Sequence, residues 1–132
     1  KTRAKEPFLL CVQWNKSGRF FAVGDYGDLE KAENKLVQFW NIEGKKIKEI
    51  KGSVAEYRNL RWNKKGTKLA TASDALRIWN KKGKFLAESK STEDYLWGID
   101  WSPNGKYIVT SSRKGIITIW DKRANKIREL QY

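Results

Sequence analysis

The chain has no histidine and no methionine, one cysteine and two prolines among 132 residues. Each scarcity removes a class of chemistry. Without histidine there is no Ser-His or Cys-His pair to activate a nucleophile, and the usual imidazole metal ligands are missing. With Cys11 alone, an internal disulfide and a cysteine-based zinc site are both excluded. Cys11 sits between "FLL" and "VQW" in an alternating pattern, which predicts a small, buried, apolar residue. No apolar run is long enough to span a membrane, and the opening "KTRAKEPFLL" lacks the apolar stretch of a signal peptide. Lys1 stands where a start methionine would, which predicts a processed or trimmed product, or an engineered chain. The compartment is left open, with the cytoplasm slightly preferred, and no motif asks for a cofactor.

What is present is aromatic and basic. Hydrophobic residues at 39% and aromatics at 13%, including seven tryptophans, predict a single folded domain rather than a disordered tail. The net charge of +13 favours anionic partners such as nucleic acid, an acidic protein or an anionic surface. The same charge also serves solubility, so its placement has to decide.

The sequence repeats itself three times. Aligned on Trp14, Trp62 and Trp101, each copy begins with an alternating segment: "FLLCVQW", "YRNLRW" and "YLWGIDW". Alternation at period two predicts a strand with one buried face. A polar turn ending in Gly follows ("NKSG", "NKKG", "SPNG"), then a segment rich in small or β-branched residues ("RFFAVG", "KLATAS", "KYIVTSS"). After a loop come "LVQFWN", "ALRIWN" and "IITIWD", a second turn, and "KIKEI", "KFLAE" or "KIREL". Each unit therefore predicts a four-stranded antiparallel sheet, and the anchors lie 48 and 39 residues apart, a spacing typical of repeat architectures.

These residues resemble the WD-repeat β-propellers, in which each repeat forms one four-stranded blade. The likeness runs from about Phe8 to Tyr132. It implies an all-β fold of three four-stranded antiparallel WD-type blades forming an incomplete arc or half of an oligomeric ring. The expected boundaries are an N-terminal extension over 1–7, then blades over 8–52, 53–90 and 91–132. WD blades often join a His, a loop Asp, a Ser or Thr and the WD Trp in one hydrogen-bonded network. This chain has no His, and in the third copy Lys114 stands at the Asp position. The resemblance leaves Trp40 in blade one, Thr71 or Ser73 with Asp74 and Trp79 in blade two, and Ser111 or Ser112 with Trp120 in blade three. Six tryptophans fall at repeating, structural positions, whereas Trp97 does not recur, its equivalents being Leu10 and Arg58.

Closed propellers usually need four to eight blades. Three predict an arc with an apolar face on each open side, to be completed by further blades of the same longer chain or by a second copy closing head to tail. By resemblance, the turns between strands one and two and between three and four share the bottom face. They hold half of the 28 lysines and arginines, against only Glu43 and Asp121. Lys64, Lys65, Lys81, Lys82, Lys122 and Arg123 are the candidates there for an anionic partner, including weak nucleic-acid contact. The top is where the family most often holds ligands. Non-repeating residues near the upper channel, Tyr57, Arg58, Tyr95 and Trp97 with Asp25 and Tyr26, are the binding candidates, since aromatics and Arg favour interfaces. The loop "GDYGDLEKAENK" carries acids whose spacing matches no calcium loop, so no metal site is expected. A non-catalytic protein or peptide scaffold of unknown partner is the leading function, binding to an anionic surface or nucleic acid the alternative. An enzyme using Asp25, Asp74 or Glu56 beside Arg58 ranks last.

Overall fold

A computed structural model describes residues 9–25, 35–53 and 55–132. Three four-stranded antiparallel sheets follow one another along the chain. Blade one contains β1 (Leu9–Trp14), β2 (Phe20–Asp25), β3 (Lys35–Asn41) and β4 (Lys46–Ser53). Blade two contains β5 (Asn59–Trp62), β6 (Lys68–Ala72), β7 (Leu76–Asn80) and β8 (Phe85–Glu88). Blade three contains β9 (Leu96–Trp101), β10 (Tyr107–Ser112), β11 (Ile116–Asp121) and β12 (Lys126–Gln131). Within every blade the strands are hydrogen-bonded in chain order, and β1, β5 and β9 lie side by side as the inner strands.

The hairpins close where the sequence places its polar turns. Asn15, Asn63, Asn80 and Asp121 each turn a side-chain oxygen back onto the amides of their own hairpin, as in Ser17 N to Asn15 Oδ1 at 3.0 Å and Lys84 N to Asn80 Oδ1 at 2.9 Å. The outer turns of blades one and two use Gly44 and Gly83 at φ near +80°. Blade three places Ala124 in the same left-handed region at φ 65°.

The hydrophobic core lies between blades, in two joints. The first joins Ala22, Val37, Phe39 and Ile50 of blade one to Leu60, Trp62, Leu69 and Trp79 of blade two. The second joins Ala70, Ala72, Leu76 and Ile78 of blade two to Ile99, Trp101, Ile108 and Trp120 of blade three. Alternation along each strand produces this: one face of blade two meets blade one and the other meets blade three.

Polar bonds repeat at both joints. Trp62 Nε1 donates to Gln13 O at 3.3 Å, and Trp101 Nε1 donates to Arg61 O at 2.9 Å, so each inner-strand Trp is tied to the preceding inner strand. Likewise Tyr57 N donates to Asp25 O and Leu96 N to Ser73 O. Trp14, the counterpart in blade one, has no blade before it among the described residues; it is 53% exposed, beside Val12 at 67%. On the far side, blade three exposes Tyr107, Val109 and Leu130. The sheets are not closed into a ring.

Candidate functional site

The upper end of the first joint holds a buried polar cluster. Asp74 Oδ1 accepts from Arg77 Nη1 at 2.7 Å and from Ser53 Oγ at 2.7 Å, and Oδ2 also accepts from Ser91 Oγ. Arg77 Nε reaches across to Glu88 Oε2 at 3.0 Å, its cross-strand neighbour. Burial pushes the Asp74 carboxyl up, but the bonds from Arg77, Ser91 and Ser53 outweigh it and hold the group below the usual carboxylate range. A carboxylate so satisfied suits structure better than proton transfer.

The Trp–Thr pairs lie deeper. Trp79 Nε1 donates to Thr71 Oγ1 at 3.0 Å, and Trp120 Nε1 donates to Thr110 Oγ1 at 2.9 Å. The partner of Trp120 is therefore Thr110, not Ser111 or Ser112. Thr110 stands opposite Thr118 in the register and two residues from the ring's own cross-strand neighbour Ile108, which brings its hydroxyl beneath the indole. In blade one Val23 occupies the equivalent position, and Trp40 Nε1 turns instead to Gln38 Oε1 at 2.9 Å.

Of the upper-channel candidates, the structure brings Arg58 and Trp97 together. They stand at equivalent places at the inner-strand starts of adjacent blades. The Arg58 guanidinium carbon lies 4.8 Å from the centre of the Trp97 ring, and Arg58 Nε also bonds Glu56 Oε1 at 3.2 Å. Trp97 remains 41% exposed. Nearby, Arg113 stacks over Tyr95 at 5.5 Å and its backbone amide donates to Tyr95 O at 2.9 Å, a contact the sequence reading missed because Arg113 lies in a loop without repeat partners. Two cation–aromatic pairs thus occupy the upper surface.

Tyr57 is a correction. It is fully buried in the first joint rather than on an accessible channel wall, because its amide is pinned to Asp25 O, its Cβ lies against Gly24 and its hydroxyl against Gly52. A β-carbon on Gly24 would fall 2.6 Å from Cys11 Sγ and 3.0 Å from Tyr57 O. Asp25 is also buried, at the end of β2. Tyr26 and most of the loop after it lie outside the described residues. The Tyr57 hydroxyl is buried without a hydrogen-bond partner among the described residues, and burial drives its proton affinity up. Tyr57→Phe is therefore expected to leave stability unchanged or raise it by up to about 1 kcal/mol, read by urea denaturation. A loss of 2 kcal/mol or so would mean that the hydroxyl is satisfied in solution.

Cys11 is half-buried against the first joint. Its thiol faces Tyr57 O at 3.5 Å and is pushed up to about 11, mainly by burial, with the Gly24 amide and Arg61 acting the other way. Such a thiol packs rather than reacts.

On the opposite end, the lysine candidates occupy the hairpin tips. Lys64, Lys65, Lys81, Lys82, Lys122 and Arg123 are all exposed.

Comparison with known proteins agrees with this architecture. The family described as "WD domain, G-beta repeat" matches residues 83–121. The "Anaphase-promoting complex subunit cdc20" of Dictyostelium discoideum is 25% identical over 122 residues, covering 89% of this chain. The chain spans 23% of that relative's length. With three sheets of four antiparallel strands, Trp62 and Trp101 each bonded to the inner strand before them, and a family match over residues 83–121, the chain is similar to the WD-repeat proteins in three consecutive blade-like sheets.

Proposed function

We propose that the chain is a non-catalytic interaction scaffold that holds a protein or peptide partner on its upper rim, anchored by Arg58 and Trp97. The observation that carries this reading is the stacked Arg58–Trp97 pair, which bridges two blades and leaves a large aromatic surface in solvent. Neither side chain is required by the blade, since the equivalent positions hold Leu10, Arg58 and Trp97 in turn. A rigid aromatic paired with Arg is the composition from which interface hot spots are built. WD-repeat likeness supports the scaffold class, and the relative is by its name a subunit of a larger complex. Two of the three carboxylates that could serve an enzyme are occupied: Asp74 by Arg77 and two serines, Glu56 by Arg58.

A peptide selected against the whole chain from a random display library supplies the probe. Trp97→Ala and Arg58→Ala are each expected to weaken its binding by about 30-fold, the size of a hot-spot loss, measured by calorimetry. If both variants bind as well as the parent while Trp14→Ala does not, the partner sits on the open face of blade one and this reading fails.

A further inference from the structure

The hairpin end of the molecule carries two clefts, one at the foot of each blade joint. The first, about 530 Å³, has Lys16, Arg19, Lys65, Lys81 and Lys82 in its walls. The second, about 440 Å³, has Lys64, Lys65, Lys68, Lys106 and Lys122. Among the described residues, no acid lines either one. Lys65 and Thr67 belong to both, so the clefts are neighbours that share the β5–β6 hairpin as a common wall.

The walls are held in place. Asn15 Nδ2 donates to Gly66 O at 2.8 Å, a buried bond that ties the first hairpin of blade one to that of blade two. Lys81 N donates to Thr67 O at 3.0 Å, which ties the two hairpins of blade two together. The asparagines inside each turn restrain the tips further. The cations therefore stand on braced turns rather than on loose loops. The two acids of this face, Glu43 and Asp121, lie outside both clefts, and Asp121 accepts from the amides of Arg123 and Asn125 in its own turn.

We propose that this end binds the phosphate backbone of double-stranded nucleic acid across the two adjacent clefts, without reading its sequence. Lysine suits phosphate as a point charge, and a row of such charges neutralises successive phosphates with release of counterions. Single strands are bound through bases stacked on aromatic side chains, and the clefts offer none for that purpose. Their single aromatic among the described residues, Phe20, is packed edge-on against Trp62 at 5.4 Å and tilted against Phe39 at 5.6 Å. Asn63 and Asn104, which could address base edges, are committed to their own turns. A partner recognised by backbone charge alone is what remains.

Fluorescence anisotropy of two labelled 20-base-pair duplexes of unrelated sequence, titrated with the whole chain, tests this. Both duplexes are expected to bind equally, and four or five phosphate contacts predict a roughly 150- to 500-fold loss of affinity between 50 and 200 mM salt. Lys65→Glu combined with Lys106→Glu should cost at least tenfold. Lys90→Glu combined with Lys114→Glu changes the net charge equally on the other end and should cost under twofold. Equal losses in the two double variants would assign the binding to net charge and overturn the clefts. Binding to anionic phospholipid vesicles or to polyglutamate as tight as to duplex, or tighter binding of a single strand of the same length, would overturn the duplex.

Discussion

Asp74→Ala is expected to destabilise the chain by about 3 kcal/mol, which lowers the melting temperature by on the order of 10 °C. Arg77 is almost wholly buried, and among the described residues its guanidinium would keep only the bond to Glu88 without Asp74. Ser53 and Ser91 lose their acceptor as well. The figure sits at the low end for a broken buried ion pair because Glu88 still holds Nε. Replacing both residues by apolar side chains, as in Asp74→Leu with Arg77→Met, should recover most of the loss, since no uncompensated charge is then left inside. The pH dependence has a definite sign. The folded-state pKa of Asp74 lies below its unfolded value, so its contribution is complete above the ordinary carboxylate range. It fades as pH falls through that range toward the folded value. Parent and Asp74→Ala should therefore differ most near neutrality and converge in acid. Thermal melts between pH 7 and pH 3 measure this, and a constant gap across that range would count against the network.

Leu69→Ala is expected to cost about 3 kcal/mol, while Phe21→Ala, at the same position of the preceding blade, should cost about 1 kcal/mol. Leu69 is fully buried in the first joint, opposite Trp79 in the sheet register. Phe21 stands likewise opposite Trp40, yet no blade among the described residues covers its face, and its main aromatic contact there is Trp14 at 5.2 Å, edge-on. The two substitutions sample one structural position with and without a neighbouring blade. Truncating Leu69 opens a cavity between two sheets; truncating Phe21 removes part of an open surface. Denaturant titration of both variants gives the comparison. If Phe21→Ala proves as costly as Leu69→Ala, the face of blade one is covered in solution.

Much of this was legible in the sequence because it depends on local period and on turn chemistry. Alternation around Trp14, Trp62 and Trp101 marks three inner strands, and Asn or Asp before a Gly-containing tip marks the hairpins. Ala124 is the exception: with no Gly in "KRANK", nothing local announces a left-handed residue, and the register of β11 with β12 imposes it. The placement of lysines at one end was equally readable, since antiparallel strands in chain order put every first and third turn on the same side.

Tertiary packing decided the rest. Tyr57 and Trp97 are both aromatics near the start of an inner strand, and sequence alone assigns them the same surroundings. One became fully buried because Gly24 and Gly52 leave room across the joint; the other stayed in solvent beneath Arg58. Thr110 could not be chosen over Ser111 or Ser112 until the register fixed which hydroxyl lies under the Trp120 ring. Arg77 gives no sign in the sequence of being a buried cation, because Asp74 lies in a loop and Glu88 on the next strand. The clefts formed only when neighbouring hairpins were tied side by side. Strands, turns and three-fold repetition are written in local pattern, because they follow from interactions a few residues apart. Burial, charge pairing and clefts depend on which faces of different blades meet, and that was settled only by the packing of one blade on the next.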